Sequence, residues 1–434
     1  MKRETIICLL VVVTIFTTAC NINRPPGQDV PAVTSDTLHV EKVDNLPEDF
    51  ILGMDTSCVP ALEACGVKYY DHDGEETDVY EILSRNGINY IRVRVWNDPY
   101  DSQGNGYGGG NCDIENAIAI GKRATKYGMK LLVDFHFSDF WADPGKQMVP
   151  KVWQNMDYDK KREALYAYTR DQLQMLIDAG VDVGMVQIGN ETNGAFCGES
   201  SSVPGGWKRI MELISAGSKA VREICPEALV AVHFTNPENV DSYFSYGKNL
   251  EYYQVDYDVF ASSYYPYWHG TLDNLAQVLS DIAQRYGKKV MVAETSYAYT
   301  AADSDFFANT IGEGGNVNNY PFTQQGQASL VRDVIDTLAN RTTGGIGVFY
   351  WEGTWISAGG DDWEQNYALW EKYGSGWASS YAAEYDPDDA GRWYGGCAVD
   401  NQAFFDANGY ALESLKVFRL VREGNIVENS PNAF

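Results

Sequence analysis

Two short runs carry an acidic residue out of an apolar stretch. V-Q-I-G-N-E occupies residues 186–191 and V-M-V-A-E-T occupies 290–295, so Glu191 and Glu294 stand at or beside the carboxyl ends of apolar segments. Runs that are apolar without alternation suit parallel strands covered on both faces. The carboxyl ends of such strands are where a closed barrel collects its chemistry. Two carboxyl groups at one mouth can cleave a glycosidic bond: one protonates the departing oxygen, while the other attacks the anomeric carbon or activates water. Glu191 is assigned the acid/base role and Glu294 the nucleophile. The charge on Glu294 should keep Glu191 protonated for the first step, and Asn190 is placed to bind the sugar 2-hydroxyl. A single glutamate is more often a solvated loop charge or an ion-pair partner. Two that close apolar runs in the proper order favour the catalytic reading. Glu352, which closes a further run in W-E-G-T-W, is the rival and reads as a support for the site.

The elements that must position these groups repeat from residue 46 onward without a composition break. Apolar strands are expected at Phe50–Asp55, Tyr90–Trp96, Met129–Phe137, Met185–Asn190, Leu229–Phe234, Val259–Tyr264, Val290–Glu294 and Ile346–Trp351. Helical periodicity lies between them at Ile114–Tyr127, Lys161–Ala179, Trp207–Ile224, Leu272–Tyr286 and Gln325–Ala339, several ending at glycine. This rhythm predicts an α/β fold, a (β/α)8 TIM barrel forming a single catalytic domain over 46–434 with long βα loops. Glu191 and Glu294 then close the fourth and seventh strands and face each other across the mouth. The weakest unit is Tyr243–Tyr257, where the helical signal is poor. The loop after the eighth strand carries Trp355, Trp363, Trp370, Trp377 and Trp393, and loops of that length are usually functional or tied down.

Composition narrows the partner. The 434 residues are 44% hydrophobic, enough for a large core, and the formal net charge of −27 argues against nucleic acid. With 11 Trp and 29 Tyr the chain is rich in rings that can stack on sugar faces or simply fill a barrel. Residues 1–19 read as a signal peptide, with Lys2 and Arg3 before an apolar run from Ile6 to Phe16 that is too short to span a bilayer. T-T-A-C ending at Cys20 resembles a bacterial lipoprotein cleavage site, ordinary cleavage near Ala19 being the alternative. Residues 20–45 then form a lipidated cysteine and a proline-bearing flexible tether, spanning about 28 Å on average if fully flexible. The expectation is an exported chain, lipid-anchored to the outer membrane or cell surface through Cys20. The remaining cysteines, Cys58, Cys65, Cys112, Cys197, Cys225 and Cys397, show no C-x-x-C spacing and name no disulfide partners, so free buried thiols are expected.

Longer motifs make the chain recognisable. G-M-D-T-S near 53, R-V-R-V-W-N-D-P-Y at 92–100, D-F-H-F-S-D-F-W-A-D-P-G-K-Q at 134–147, Q-I-G-N-E at 187–191, A-E-T-S-Y at 293–297 and Y-W-E at 350–352 resemble glycoside hydrolase family 53 over about residues 48–420. That family comprises endo-β-1,4-galactanases that act on the galactan side chains of pectin. The resemblance implies a retaining barrel whose acid/base and nucleophile close strands four and seven, matching Glu191 and Glu294. The residues alone leave retention open. The implied partner is β-1,4-galactan and its oligosaccharides, with no nucleic acid and no membrane contact beyond the anchor. Another endo-β-1,4-glycanase of the same clan, a mannanase or cellulase, is the alternative enzyme, and a glycan-binding lipoprotein without catalysis is the alternative of another class.

Further candidates surround the pair. His136 and Asp139 could hydrogen-bond sugar hydroxyls or position the acid. One of Arg92 and Arg94 should enter the mouth and anchor a glutamate, because buried charges must be paired. Trp96, Trp141, Trp351 and Trp363 are the candidate stacking platforms, and His233 and Tyr264 are placed to orient Glu294. D-S-D-F-F-A-N offers Asp303, Asp305 and Asn309 as oxygen ligands of the kind calcium favours. This stretch looks like the calcium loop of bacterial family members, clamped to the following loop near Cys397 and Asp400, and so implies a structural Ca2+. Phe307 stands where those members carry histidine and Cys397 where they carry serine, which leaves position 397 its carbonyl and removes one side-chain ligand.

Overall fold

A computed structural model describes residues 38–317, 320–360 and 362–425. Eight parallel strands close a barrel: β1 Ile51–Asp55, β2 Tyr90–Val95, β3 Lys130–Phe135, β4 Val183–Ile188, β5 Leu229–Phe234, β6 Val259–Ser263, β7 Lys289–Thr295 and β8 Gly345–Tyr350. Each strand pairs with its sequence neighbours, and β1 pairs with β8 to close the ring. Helices at Ile114–Lys126, Tyr158–Asp178, Gly206–Ile224, Leu272–Tyr286 and Gln324–Asp336 cover the outside. The expected (β/α)8 TIM barrel is the fold.

Each strand alternates between two cores. Val186 and Ile188 of β4 and Val290 and Val292 of β7 face the helices in the outer core. Ile51, Leu132, Met185, Ala231, Val259, Ala261, Met291, Ala293 and Phe349 fill the barrel floor. The interior is tight enough that a Cβ at Gly53 would meet the Phe349 ring at 2.1 Å. Helix starts are fixed by side-chain caps: Asp113, Asp157, Thr271 and Thr323 each accept a hydrogen bond from a backbone N–H in the first turn, worth about 1 kcal/mol apiece. The weak segment after β5 is a helix, Val240–Tyr252, which buries Tyr243, Tyr246, Gly247 and Leu250. That is a regular helical stripe, obscured in the sequence by tyrosines of modest hydrophobicity.

The tether boundary needs correction. Leu38, Val40 and Val43 are buried in the outer core, His39 exchanges two hydrogen bonds with the Gln325 side chain, and the Val43 amide donates to the Val421 carbonyl at 2.8 Å. The compact unit therefore starts at Leu38 rather than residue 46. Its three apolar anchors are too sparse to announce themselves as an element. The signal peptide at 1–19, Cys20 and the tether up to residue 37 lie outside the described residues. Among the described residues no helix is long and apolar enough to cross a membrane, and the six cysteines there are free.

Candidate active site

Above the apolar floor the barrel turns polar, because the next inward position on successive strands is Asp55, Arg92, Asp134, Gln187, His233 and Ser263. Asp55, Arg92, Asp134, Gln187, His233 and Ser263 are all buried to within 1%. Arg92 organises the layer. Its Nη1 lies 3.1 Å from Asp55, and its Nη2 lies 2.8 Å from Asp134, 2.9 Å from Glu294 and 3.0 Å from Asn190 Oδ1. A buried guanidinium is tolerated only with such partners. Arg94, two residues on, points the same way and pairs with Asp55 and Glu352. The expectation that one arginine anchors a glutamate is thus exceeded: residues i and i+2 share a strand face, and both anchor one.

Glu294 reaches this layer through a local irregularity. Strict alternation after Met291 and Ala293 would turn Glu294 toward the helices. The register against β6 steps from Ser262↔Val292 to Ser263↔Glu294, and a shift is also recorded against β8. The extra residue is a β-bulge, which re-aims the following side chain, and Glu294 enters the mouth. Its carboxylate takes the Arg92 ion pair on Oε1 and the Tyr265 hydroxyl on Oε2 at 2.9 Å.

Glu191 is held differently. It sits past the end of β4 at φ +47°, a left-handed conformation that is uncommon for a residue with a side chain. Ser263 Oγ lies 2.6 Å from its Oε1, and no arginine or lysine pairs with it among the described residues. Burial, then the charge of Glu294, push the Glu191 carboxyl up to about 8. Desolvation, and not the Glu294 charge expected from the sequence, is the larger cause. Burial also raises Glu294, but Arg92 opposes that rise, so Glu294 ionises first and Glu191 keeps its proton. The two carboxyls are pushed apart in the order that acid and nucleophile need.

The other sequence candidates divide. Asn190 lies in the site, with its Nδ2 donating to the Ala142 carbonyl at 2.9 Å and its Oδ1 facing Arg92 and His233. His233 reaches Ser263 at 2.9 Å and so contacts the Glu191 side of the site, not Glu294. His136 is buried, with Nε2 at 3.0 Å from Asp134 and Nδ1 accepting from Trp96 Nε1 at 3.1 Å. Trp96 is fully buried and cannot serve as a platform. Asp139 is buried and accepts from the backbone amides of Asp98 and Lys151, which ties it to the shape of those loops. Tyr264 is displaced by one position: its hydroxyl donates to Gly270, only its amide touches Glu294, and Tyr265 supplies the side chain. The irregular register at the end of β6 put that tyrosine beyond sequence reach.

Trp141 and Trp351 are half-buried and lie beside each other, with Trp355 completing the cluster and the Arg94 guanidinium 4.4 Å above the Trp141 ring. Trp363 begins the helix Trp363–Tyr373 and packs edge-on against Trp370. Trp268, exposed and edge-on to Tyr265, was not singled out by the sequence. Glu352, the rival, is buried at φ +49° against Arg94. Burial lifts its carboxyl to about 8, and Arg94 opposes that rise.

Asp303, Asp305 and Asp400 each present a carboxylate oxygen within 4.8 Å of the others. Asp305 and Asp400 are buried, burial pushing Asp305 up to about 7. Asn309 adds a buried Oδ1 with no hydrogen-bond partner while its Nδ2 donates to Asp400. An all-oxygen donor set of this kind fits calcium. Cys397 takes part through its amide, which donates to Asp305 at 2.8 Å; its thiol is turned into an apolar cluster beside Trp355 and cannot be a ligand. Phe307 packs its ring against Trp370.

A closed barrel that presents two differently anchored carboxyls at its carboxyl-terminal mouth defines a glycoside hydrolase. Residues 51–418 match the family described as glycosyl hydrolase family 53, and the chain belongs to it. It is 56% identical over 398 residues to an endo-β-1,4-galactanase of Bacillus subtilis (strain 168), covering 92% of each chain. It is 33% identical over 346 residues to an arabinogalactan endo-β-1,4-galactanase of Cellvibrio japonicus (strain Ueda107), covering 78% of this chain and 86% of that one. Among solved structures, the Ignisphaera aggregans family 53 catalytic domain superposes with a TM-score of 0.78 at 40% identity, covering 88% of this chain and 99% of that one.

Proposed function

We propose that this chain is a retaining endo-β-1,4-galactanase that cuts the β-1,4-galactan side chains of pectic arabinogalactan by double displacement. The observation that carries the reading is the unequal anchoring of the two carboxyls: Glu294 on the Arg92 cation and Tyr265, Glu191 on the neutral hydroxyls of Ser263 and Thr235. Glu294, held ionised, attacks the anomeric carbon. Glu191 gives its proton to the departing glycosidic oxygen as the C–O bond breaks. With the ester formed, the charge that helped keep Glu191 protonated is consumed, and Glu191 takes a proton from the water that releases the sugar. Asn190 and the Trp141–Trp351 cluster stand ready for sugar hydroxyls and faces. Both carboxyls being present and poised disfavours a binding protein without turnover.

Reducing-end release across galactan, mannan and cellulose, with the anomer of fresh product followed by NMR, tests this. Galactan should be cut into oligosaccharides with β product appearing first. Release from mannan or cellulose with galactan inert overturns the substrate class, and α product appearing first overturns retention.

Two further parts of the reading rest on the sequence and on chemistry. The basic and apolar opening residues followed by Cys20 support export and a lipid anchor at the outer membrane or cell surface. Asp303, Asp305, Asp400 and Asn309 support a structural calcium ion that ties the loop after β7 to the loop after β8, away from the reaction. Ser304 of the first loop already bonds Asp400 of the second, and Ser357 of the second loop bonds the same carboxylate. Exhaustive chelation should lower the melting temperature and added calcium restore it, the stabilisation being about 2.7 kcal/mol when the ion is at a hundred times its Kd. An unchanged melting temperature in stripped protein removes the metal from the account.

A further inference from the structure

Glu191 touches only one end of a longer chain of hydrogen bonds. Ser263 Oγ lies 2.6 Å from Glu191 Oε1 and 2.9 Å from His233 Nε2, and His233 Nδ1 lies 2.9 Å from Asn190 Oδ1. The direction of each proton follows from the ends. Asn190 Nδ2 is committed to the Ala142 carbonyl, so Oδ1 faces the histidine and can only accept. The proton of that contact therefore sits on His233 Nδ1. Gln187 Nε2 also lies 3.1 Å from Nδ1, but its two hydrogens have three oxygen acceptors of their own, Asp134 Oδ1 at 2.6 Å, the Gly189 carbonyl at 3.1 Å and Asn190 Oδ1 at 3.2 Å. Burial, then Arg92, hold His233 neutral, which leaves Nε2 a bare lone pair. Ser263 must donate to it. The serine then turns only lone pairs toward Glu191, and at 2.6 Å the contact is satisfied when the carboxyl itself donates.

We propose that His233 and Ser263 are positioning residues that order the proton of the acid/base, keeping Glu191 as the carboxylic acid through a one-way chain Glu191–Ser263–His233–Asn190. The proposal rests on the reading of Glu191 as acid/base. In the first step the Glu191 proton passes to the glycosidic oxygen, which takes the electron pair of the breaking C–O bond while a Glu294 oxygen bonds the anomeric carbon. Ser263 can then rotate its hydrogen to the new carboxylate, at the cost of an unpartnered Nε2. Water returns a proton to Glu191 as its oxygen displaces Glu294, and the original direction is restored. The charged and titratable groups around the chain are Glu294 from β7, Asp143 from the loop after β3, Tyr243 from the helix after β5 and Tyr265 from the loop after β6 on the Glu191 side, with Arg92, Asp134 and His136 on the His233 side.

The direction of the effect separates this arrangement from an ordinary hydroxyl donor. A serine that merely donated to the carboxylate would favour ionisation, and its loss would raise the Glu191 pKa; a serine that accepts favours the acid, and its loss lowers it. The alkaline limb of kcat/KM, set by Glu191, should move down by about one unit in Ser263→Ala, a tenfold loss of acid form above the limb, and return in Ser263→Thr. A 13C titration of Glu191, assigned with Glu191→Gln, should show the same shift without substrate. A limb or titration that stays put or moves upward overturns the proposal. Should Ser263→Ala not fold, 15N spectra of the wild-type protein decide alone: the proton belongs on Nδ1 of His233, and a proton on Nε2 breaks the chain. These spectra are independent of the polysaccharide, so inactivity of the wild type on galactan would fail the functional reading while leaving this one decidable.

Discussion

Glu294→Ala lowers kcat on galactan by a factor on the order of 10⁴–10⁶ while leaving the fold intact, because the residue removed is the nucleophile and the residues that hold the barrel mouth remain. Loss of a nucleophile typically costs that much. Arg92 keeps Asp55 and Asp134 in the variant, so no buried guanidinium is stranded. The vacated space beside Tyr265 and Arg92 also makes a positive test available. Azide or formate can enter and attack the anomeric carbon from the face Glu294 used, so an aryl galactoside with a good leaving group, which needs little help from an acid, should regain turnover. With azide the product should be the α-galactosyl azide, inverted once where the wild type inverts twice. Activity within tenfold of wild type, or a rescued product of β configuration, would remove Glu294 from its role. Steady-state rates and product NMR supply both readings.

The barrel was largely legible because its signal is redundant. Eight apolar runs separated by helical periodicity constrain one another, and even the helix after β5, whose tyrosines blurred its pattern, had to exist for β5 and β6 to run parallel. The site was legible where it follows from strand ends, as for Glu191 and Asn190, and in part on β2, where one anchoring arginine is expected and two are found. It was not where function depends on departures from regular structure. The β7 bulge that turns Glu294 inward leaves no mark in V-M-V-A-E-T, whose alternation points the residue the other way. At the end of β6 the neighbouring tyrosines differ by one position, and the choice of Tyr265 is made by register. Trp96 looks like a sugar platform in R-V-W-N, yet it is buried as a donor to His136, because composition does not say which face of a ring meets solvent. The Leu38–Val43 stretch looks like tether in the sequence because three apolar residues among polar ones carry no period, and only their burial in the outer core gives them meaning.

Arg92→Met should be the most damaging substitution for stability, and its damage should depend on pH. One guanidinium carries Asp55, Asp134 and Glu294, all without appreciable solvent contact. Removing one partner of a buried ion cluster costs about 3–5 kcal/mol, which for a domain of this size means a melting temperature lower by roughly 5–15 °C. The sign follows from which groups lose their cation. Burial works against an ionised Asp134, and Arg92 is the first of the charges that hold it below the usual carboxylate range. Arg92 also opposes the rise of Glu294. Without it both carboxyls rise: Glu294 goes further above its unfolded value, and Asp134 loses the largest of the contributions that hold it below its own. Groups raised in this way favour the fold fully below the unfolded pKa, near 4, and lose that contribution as pH climbs through the folded pKa. The gap between wild type and variant should therefore widen from pH 4 toward neutrality. With Glu294 raised further, less of it is ionised to attack, so the acidic limb of kcat/KM moves upward. Thermal melts and rate profiles over that range test the two consequences separately. A gap that narrows with rising pH would mean that the guanidinium supports the mouth by packing and not by charge.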